Sequence, residues 1–195
     1  MNIIQGDLIQ LALQGEFDVI AHGCNCFCRQ ASGIAKQMVR HFHTNMPHLF
    51  DLESKEYIGD INKLGQIQFA QGDVWAGLNG NSSIWDQYHN RLDYQNNPDY
   101  EMIRVLTVVN CYTQYRYGDK SHRDYPFINY RALGLCLEKI NYLFSDRGVG
   151  LPLIGGGLAG GNHEIIIDIM RGTLVNVDAT LVILDEKLYN KMYSR

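Results

Sequence analysis

Short apolar segments alternate with amphipathic segments along most of the chain, which predicts that strands and helices follow one another. The strand-like segments are Asn2–Gln5, Phe17–Ala21, Gln66–Ala70, Met102–Tyr112, Val149–Ile154 and Ala179–Leu184. Apolar residues recur at helical spacing in Leu8–Leu13, Gly33 to about His43, Tyr125–Phe144 and His163–Gly172. The polar tail that follows predicts one further helical turn.

This order of elements is typical of an α/β domain in which helices cover both faces of a largely parallel sheet. Ligands of such sheets bind at the carboxyl ends of the strands, where loops lead into helices. Residues 73–99 are polar, rich in Asn, Gly and Ser, and show no clear periodicity. They are too long for an ordinary connection, so we predict an inserted loop or hairpin.

Length and charge narrow the possible functions. A chain of 195 residues indicates a single domain over residues 1–195. The net charge of -4 argues against strong general binding of nucleic acid or of an anionic membrane, so an anionic ligand needs a local site. With no signal-peptide pattern and an odd count of five cysteines, we expect a cytoplasmic monomer with reduced thiols.

The strongest chemical signal is a glycine cluster, with five glycines among the seven residues Gly155–Gly161. It follows an apolar strand and precedes a helix, so its backbone amides and the helix N-terminus are suited to an anion. A flexible turn is the simpler interpretation. The cluster is neither a Walker loop, which needs Gly-Lys-Ser/Thr, nor a dinucleotide fingerprint, which follows the first strand.

Two further junctions between a strand or loop and a helix carry candidate residues. Ser32-Gly33-Ile34-Ala35 enters a predicted helix, where Ser32 is either a simple N-cap or part of a second phosphate contact. Asp7, in Gly6-Asp7-Leu8, is either a helix cap or a carboxylate that accepts a hydrogen bond from an amino group such as that of adenine. The Ser32 junction and the glycine cluster, placed at the same edge of a parallel sheet, could hold two linked phosphates between them.

Taken in order, these segments resemble macrodomains, which bind ADP-ribose. The resemblance spans nearly the whole chain except residues 73–99 and rests on GDL, IAHGCNC, SGIAKQM, LGQIQF and LPLIGGGLAGG. Within that family, HGCNC followed by SGIA, together with the loop Tyr117–His122, is most similar to the yeast-type ADP-ribose-1″-phosphate phosphatases. The resemblance implies a three-layer α/β/α fold with a central mixed, largely parallel sheet.

The resemblance also implies roles for individual residues. Asp7 would bind the adenine amino group with the Leu8 amide nearby, and Asn25 would contact the distal ribose. One side of the diphosphate would be held by Ser32, Gly33, Ile34 and Ala35, and the other by Gly155, Gly156, Gly157 and Leu158. No cofactor is implied.

Two positions differ from related hydrolases that remove ADP-ribose from glutamate or from DNA. Some of these use a lysine just after the central strand, where this chain has Gln114, and one subgroup uses an Asp where this chain has Ala159. Glutamine is not an ionisable nucleophile or base, so the lysine mechanism is not expected.

Several residues remain open to two interpretations. His22 is either a packed core residue or a catalytic group near a phosphate. Together with Cys24, Cys26 and Cys28 it could form a metal set, although structural zinc favours Cys-x-x-Cys pairs and we expect no metal. His163 and Glu164, at the start of a predicted helix, are expected to cap it. The aromatic residues either pack in the core or stack on adenine: Tyr112, Tyr115 and Tyr117.

We therefore expect an enzyme that converts ADP-ribose-1″-phosphate to ADP-ribose, with His22 moving a proton or attacking and Asn25 orienting the ribose. The alternatives are a hydrolase that removes ADP-ribose from protein or nucleic acid, and a module that only binds ADP-ribose.

Overall fold

A computed structural model of the protein describes residues 1–78, 83–86 and 97–193, and its strands form a single mixed sheet. In chain order they are β1 Asn2–Gln5, β2 Val19–Asn25, β3 Ile67–Gly77, β4 Ser83–Asp86, β5 Tyr100–Gln114, β6 Gly148–Leu151 and β7 Asp178–Ile183. The spatial order is β1-β7-β6-β2-β5-β3-β4. Neighbours from β1 to β5 are parallel, whereas β3 is antiparallel to both β5 and β4.

Helices cover both faces of this sheet, which gives the three-layer α/β/α architecture predicted from the sequence. They are α1 Leu8–Leu13, α2 Gly33–Phe42, α3 Tyr130–Leu143, α4 His163–Thr173 and α5 Glu186–Tyr193. One core lies under α1 and α2, where Met38 and Phe42 are fully buried at the predicted spacing. The other core lies under α3 and α4, with part of α5 against it. None of the described helices is long and apolar enough to cross a membrane.

The central strands are longer than their apolar segments suggested. β2 continues from Ala21 through Asn25 because its pairing with β5 continues to Gln114, with a register shift between Cys24 and Asn25. β6 instead ends at Leu151, since the following Pro152 has no amide to donate to a sheet. The paired ends of β2 and β5 bring Asn25 and Gln114 next to each other.

The segment 73–99 falls partly outside the described residues, which omit 79–82 and 87–96. Its described parts are largely strand: residues 73–77 complete β3, and β4 pairs with them antiparallel. Residues 73–77 also pair with the first half of β5. Val74 and Trp75 in this stretch are buried, so burial and pairing with two neighbours together hold a strand that lacks apolar alternation.

Helix α3 begins at Tyr130, five residues later than the sequence predicted. Asn129 provides the N-cap, because its side chain accepts a hydrogen bond from the Ala132 amide at 2.9 Å. Residues 125–129 instead form an extended approach in which the Phe127 amide donates to the Ala159 carbonyl at 2.8 Å. The glycine cluster is thereby fastened to the segment leading into α3.

Candidate functional site

A cleft made of two adjoining cavities lies at the carboxyl ends of the parallel strands. The Asp7 half, of about 440 Å³, contains Asp7, Leu8 and Ile9. The Asn25 half, of about 670 Å³, contains Asn25, Gln114 and Tyr117. The two halves share the lining residues Gly33, Ile34, Pro152, Leu153 and Gly157. The predicted phosphate-binding junctions therefore lie where the two halves meet.

The N-terminus of α2 supplies unpaired backbone amides to this junction. Ser32 is the N-cap residue, but its side chain makes no capping hydrogen bond. The first amides of an α-helix have no partner within the helix, and within the described residues none accepts from Gly33, Ile34 or Ala35. Gly33 has a φ of 56°, a conformation that favours glycine. This end of α2 can therefore donate hydrogen bonds to an anion.

The late glycine loop, residues 155–161, forms the opposite wall. Gly155 has a φ of 82°, and a Cβ there would collide with the Ile128 side chain, so glycine is favoured at this position. At Gly157 a Cβ would meet nothing within 4 Å, because this residue borders the open cleft. The amides of Gly157 and Leu158 have no acceptor among the described residues.

Gly156 lines the cleft but is mainly part of the turn. Its amide donates to the Leu153 carbonyl at 2.9 Å, and its carbonyl accepts from His163 Nε2 at 2.8 Å. The amide of Gly156 is therefore already engaged, unlike that of Gly157. His163, expected to cap α4, fixes this loop instead, while the N-cap of α4 is Asn162.

Asp7 has the first of its two predicted roles, that of a helix cap. Its Oδ1 accepts hydrogen bonds from the amides of Ile9 at 2.8 Å and Gln10 at 3.3 Å, so it is the N-cap of α1. Asp7 is exposed and lines the Asp7 half, and no described residue donates to its Oδ2. The Leu8 amide is likewise unpaired within the described chain. One carboxylate oxygen and one amide therefore remain for a ligand.

Asn25 lines the Asn25 half of the cleft, but its side chain makes most of its hydrogen bonds with the backbone of the loop that follows. Its Oδ1 accepts from the amides of Phe27 at 3.0 Å and Arg29 at 3.2 Å. Its Nδ2 donates to the Arg29 carbonyl at 2.7 Å. Since an amide nitrogen carries two hydrogens, one Nδ2–H is left for a ligand. Asn25 can donate to a ribose hydroxyl, but its oxygen is already occupied.

His22 does not line the cleft. Its side chain is fully buried, and its Nε2 donates to Asn110 Oδ1 at 2.8 Å, while Asn110 Nδ2 donates to the Thr44 carbonyl at 2.8 Å. Gln30 completes the network, since its Nε2 donates to the Thr44 carbonyl and its Oε1 accepts from Thr44 Oγ1. This arrangement argues against the predicted catalytic role and makes His22 a support for the segments flanking α2.

The buried His22 should make stability fall in acid. Burial lowers the pKa of His22 from 6.5 to about 4, despite the opposing hydrogen bond with Asn110. As the pH falls, His22 is protonated in the unfolded chain before it is protonated in the folded one. Protonation of His22 therefore does not affect stability above pH 6.5, and it lowers the free energy of unfolding as the pH drops towards 4. At about 1.4 kcal/mol per pKa unit, this loss amounts to about 3 kcal/mol.

Urea unfolding of the wild type and His22→Gln across this pH range measures the effect. The variant keeps a neutral donor and should lose this part of the pH dependence, whereas His43→Asn, at an exposed position, should retain it. An unchanged pH dependence in His22→Gln would assign the proton to another group.

The charged groups of the Asn25 half are Arg29 and Asp119, neither of which was singled out from the sequence. Of the described residues that line the cleft, Arg29 is the only cation. Asp119 accepts hydrogen bonds from the Ser121 hydroxyl and from the Ser121 amide at 2.8 Å, which lower the pKa of its carboxyl group. Asp119 is therefore ionised near neutral pH. Asp119 lies within the loop Tyr117–His122, which the resemblance had already drawn attention to, whereas no feature of the sequence pointed to Arg29.

Gln114 lies beside these groups, and its Nε2 donates to the Arg116 carbonyl at 2.9 Å. The tyrosines do not form an adenine platform in the Asp7 half. Tyr112 is buried and donates to Glu53 Oε1 at 2.7 Å, Tyr115 donates to the Gly59 carbonyl at 3.1 Å, and Tyr117 lines the Asn25 half. Within the described ranges, no three His, Cys, Asp or Glu side chains converge as a metal site requires.

Comparison with known proteins finds sequence similarity to a bacteriophage protein. No family model matches the chain. An uncharacterised 17.5 kDa protein of Enterobacteria phage T4, from the tk-vs intergenic region, is 27% identical over 175 residues, covering 87% of each chain.

Solved structures establish the fold class. A Bacteroides thetaiotaomicron protein of unknown function superposes with a TM-score of 0.59 at 21% identity, covering 93% of this chain and 97% of its own. The macrodomain of Mycobacterium tuberculosis DarG gives 0.52 at 17% identity, covering 94% and 97%. Thermosipho africanus DarTG, in complex with ADP-ribose, gives 0.53 at 14% identity and matches 96% of this chain but 42% of its own. The chain therefore has the macrodomain fold.

Proposed function

We propose that the cleft binds ADP-ribose along its whole length. ADP-ribose consists of an adenosine and a second ribose joined by a diphosphate, and the cleft consists of two halves joined at unpaired amides. The diphosphate would accept from the N-terminus of α2 and from Gly157 and Leu158, where helix and loop dipoles favour an anion. The complex of the Thermosipho neighbour with ADP-ribose supports this ligand.

The direction of the ligand follows from the groups at the two ends. In the Asp7 half, Asp7 Oδ2 accepts from the adenine amino group, and the Leu8 amide donates to a ring nitrogen. In the Asn25 half, the free Nδ2–H of Asn25 donates to a hydroxyl of the distal ribose. For ADP-ribose-1″-phosphate, the reverse direction would place the terminal phosphate beside the Asp7 carboxylate and not beside Arg29.

The proposed reaction is hydrolysis of ADP-ribose-1″-phosphate to ADP-ribose and phosphate. The observation that carries it is that Arg29 and Asp119 both line the Asn25 half, where the terminal phosphate would lie. An arginine binds a phosphate through several hydrogen bonds of fixed geometry. Gln114, which cannot ionise, argues against the alternative of lysine-assisted cleavage of a glycosidic link.

In this mechanism Arg29 neutralises charge on the phosphoryl oxygens, and Asn25 holds the distal ribose. The ionised Asp119 orients the attacking water and accepts its proton as the oxygen bonds to phosphorus. The ribose oxygen leaves with the electrons of the broken O–P bond and takes a proton from solvent. His22 acts only by supporting the segments that flank α2.

Phosphate release from purified protein given ADP-ribose-1″-phosphate tests this function, beside release of ADP-ribose from modified protein and DNA. We expect the first reaction to dominate. Arg29→Met should weaken binding of the 1″-phosphate by about 10-fold or more, because hydrogen bonds to charged groups contribute about 1.5–3 kcal/mol. Its affinity for ADP-ribose should change little.

Arg40→Met, at an exposed position of α2 outside the cleft lining, is the matched control for Arg29→Met and should behave as the wild type. Fast removal of ADP-ribose from protein or DNA without phosphate release would replace the proposed reaction. Binding of ADP-ribose with no turnover of any substrate would leave a module that only binds it.

A further inference from the structure

Lys63 is a buried lysine held against a thiol. It ends the short 3₁₀ helix Ile61–Lys63 between α2 and β3, and its side chain is 1% exposed. Its Nζ lies 3.0 Å from Cys28 Sγ and 2.7 Å from the Leu52 carbonyl oxygen, and 4.6 Å from the centre of the Tyr112 ring. These three contacts fix the nitrogen beside the sulfur.

A thiol is an unusual partner for Lys63, because a buried lysine normally pairs with a carboxylate. Within the described chain Lys63 forms no ion pair, and the nearby Glu53 accepts instead from the Tyr112 hydroxyl at 2.7 Å. The nitrogen of Lys63 is therefore committed to the Cys28 sulfur and to one backbone carbonyl.

Cys28 also differs from the other cysteines. Cys28 is partly exposed, whereas the other four, Cys24, Cys26, Cys111 and Cys136, are buried. Its φ of 57° is uncommon for a residue with a side chain. Burial raises the pKa of the Cys28 thiol, and the hydrogen bond from Lys63 opposes that rise. The thiolate that reacts with an oxidant thus depends on the lysine beside it.

We propose that Cys28 and Lys63 form a site of reversible oxidative cross-linking, in which a peroxide joins the two side chains by a sulfur–nitrogen bond. Hydrogen peroxide first oxidises the Cys28 thiolate to a sulfenic acid, and the hydroxide that leaves takes a proton from the Lys63 ammonium to give one water and a neutral amine. The Lys63 amine then attacks the sulfur, the S–O bond breaks, and the oxygen leaves as a second water with a proton from the amine. In total, one thiol, one amine and one peroxide give one S–NH link and two waters.

The cross-link would tie two segments near the Asn25 half of the cleft. Cys28 lies within the loop that Asn25 holds through the amides of Phe27 and Arg29. Lys63 belongs to the connection between α2 and β3. A covalent bond between them anchors the residue next to Arg29 and limits movement of the loop.

Peptide mapping by mass spectrometry after treatment with hydrogen peroxide tests the site. We expect a linked pair of peptides containing Cys28 and Lys63, with the summed mass less two hydrogens, that separates on addition of a thiol reductant. Lys63→Met and Cys28→Ser should each abolish the pair. Cys26→Ser, which changes a buried thiol two residues away, should retain it.

Lys63→Arg serves if Lys63→Met does not fold, since it keeps the positive charge but lacks the amine. The wild type alone can overturn the proposal: oxidation of folded protein that stops at a Cys28 sulfenic acid, or joins Cys28 to another cysteine, would exclude the link. An equal yield of the link from protein unfolded in urea would show that the folded contact does not direct it. Neither outcome bears on binding of ADP-ribose.

Discussion

Gly157→Val should weaken ADP-ribose binding by about 10- to 100-fold, because inserting a branched side chain into a filled space costs about 1–3 kcal/mol. Gly157 borders both halves of the cleft, and nothing in the protein lies within 4 Å of a Cβ placed there. The new side chain would therefore meet the diphosphate and not the fold. Calorimetric titration measures the affinity, and thermal unfolding of the free protein checks that stability is retained.

Gly172→Val is the matched control, since a Cβ at this position of α4 also meets nothing within 4 Å and Gly172 lines neither half. It should bind as the wild type does. Gly156 is a poorer choice because a Cβ there would lie 2.6 Å from Leu153 Cδ2, so lost binding would be mixed with lost folding. Normal affinity in a folded Gly157→Val protein would show that the diphosphate lies elsewhere.

Asp119→Asn should lower kcat for phosphate release by about 10²–10⁴-fold, the range for loss of a group that moves a proton in the transition state. The amide is nearly the same size as the carboxylate and can still accept from Ser121, so the loop should keep its shape. Affinity for ADP-ribose should change little. Steady-state kinetics with ADP-ribose-1″-phosphate separate the change in kcat from any change in KM.

Asp124→Asn controls for charge in the same loop. Asp124 pairs with Arg116 and Arg123 at the surface and does not line the cleft. The control should retain wild-type kcat. If Asp119→Asn and Asp124→Asn have the same modest effect, Asp119 does not take part in the chemical step, and the attacking water is activated by another group.

The order of elements and the layered fold could be predicted because the apolar segments are short, buried and separated by amphipathic helices. Helix α1 was predicted with its observed bounds, since Asp7 is an N-cap that the sequence shows directly. The length of β3 could not be predicted, because the buried Val74 and Trp75 are adjacent and do not alternate with polar residues, and pairing with β4 and β5 extends the strand.

The glycine-containing loops of the candidate site could be predicted from the sequence. Contacts between side chains that are far apart in the sequence could not. Gly33 and Gly157 lie at the junction of the two halves, as the glycine-containing loops suggested. Proximity in sequence to Asn25 does not determine where the His22 side chain lies, because successive residues of a strand face opposite sides of the sheet, and His22 is buried outside the cleft lining. Its partner Asn110 is 88 residues away.

The central claim is that ADP-ribose occupies both halves of the cleft, and isothermal titration of the wild type with ADP-ribose, ADP and AMP tests it most directly. We expect one site for each ligand, with affinity falling from ADP-ribose to ADP to AMP as contacts with the Asn25 half and then the second phosphate are lost. At about 100 times Kd, ADP-ribose should stabilise the fold by about 2.7 kcal/mol. No heat and no thermal shift at millimolar ADP-ribose would contradict the account.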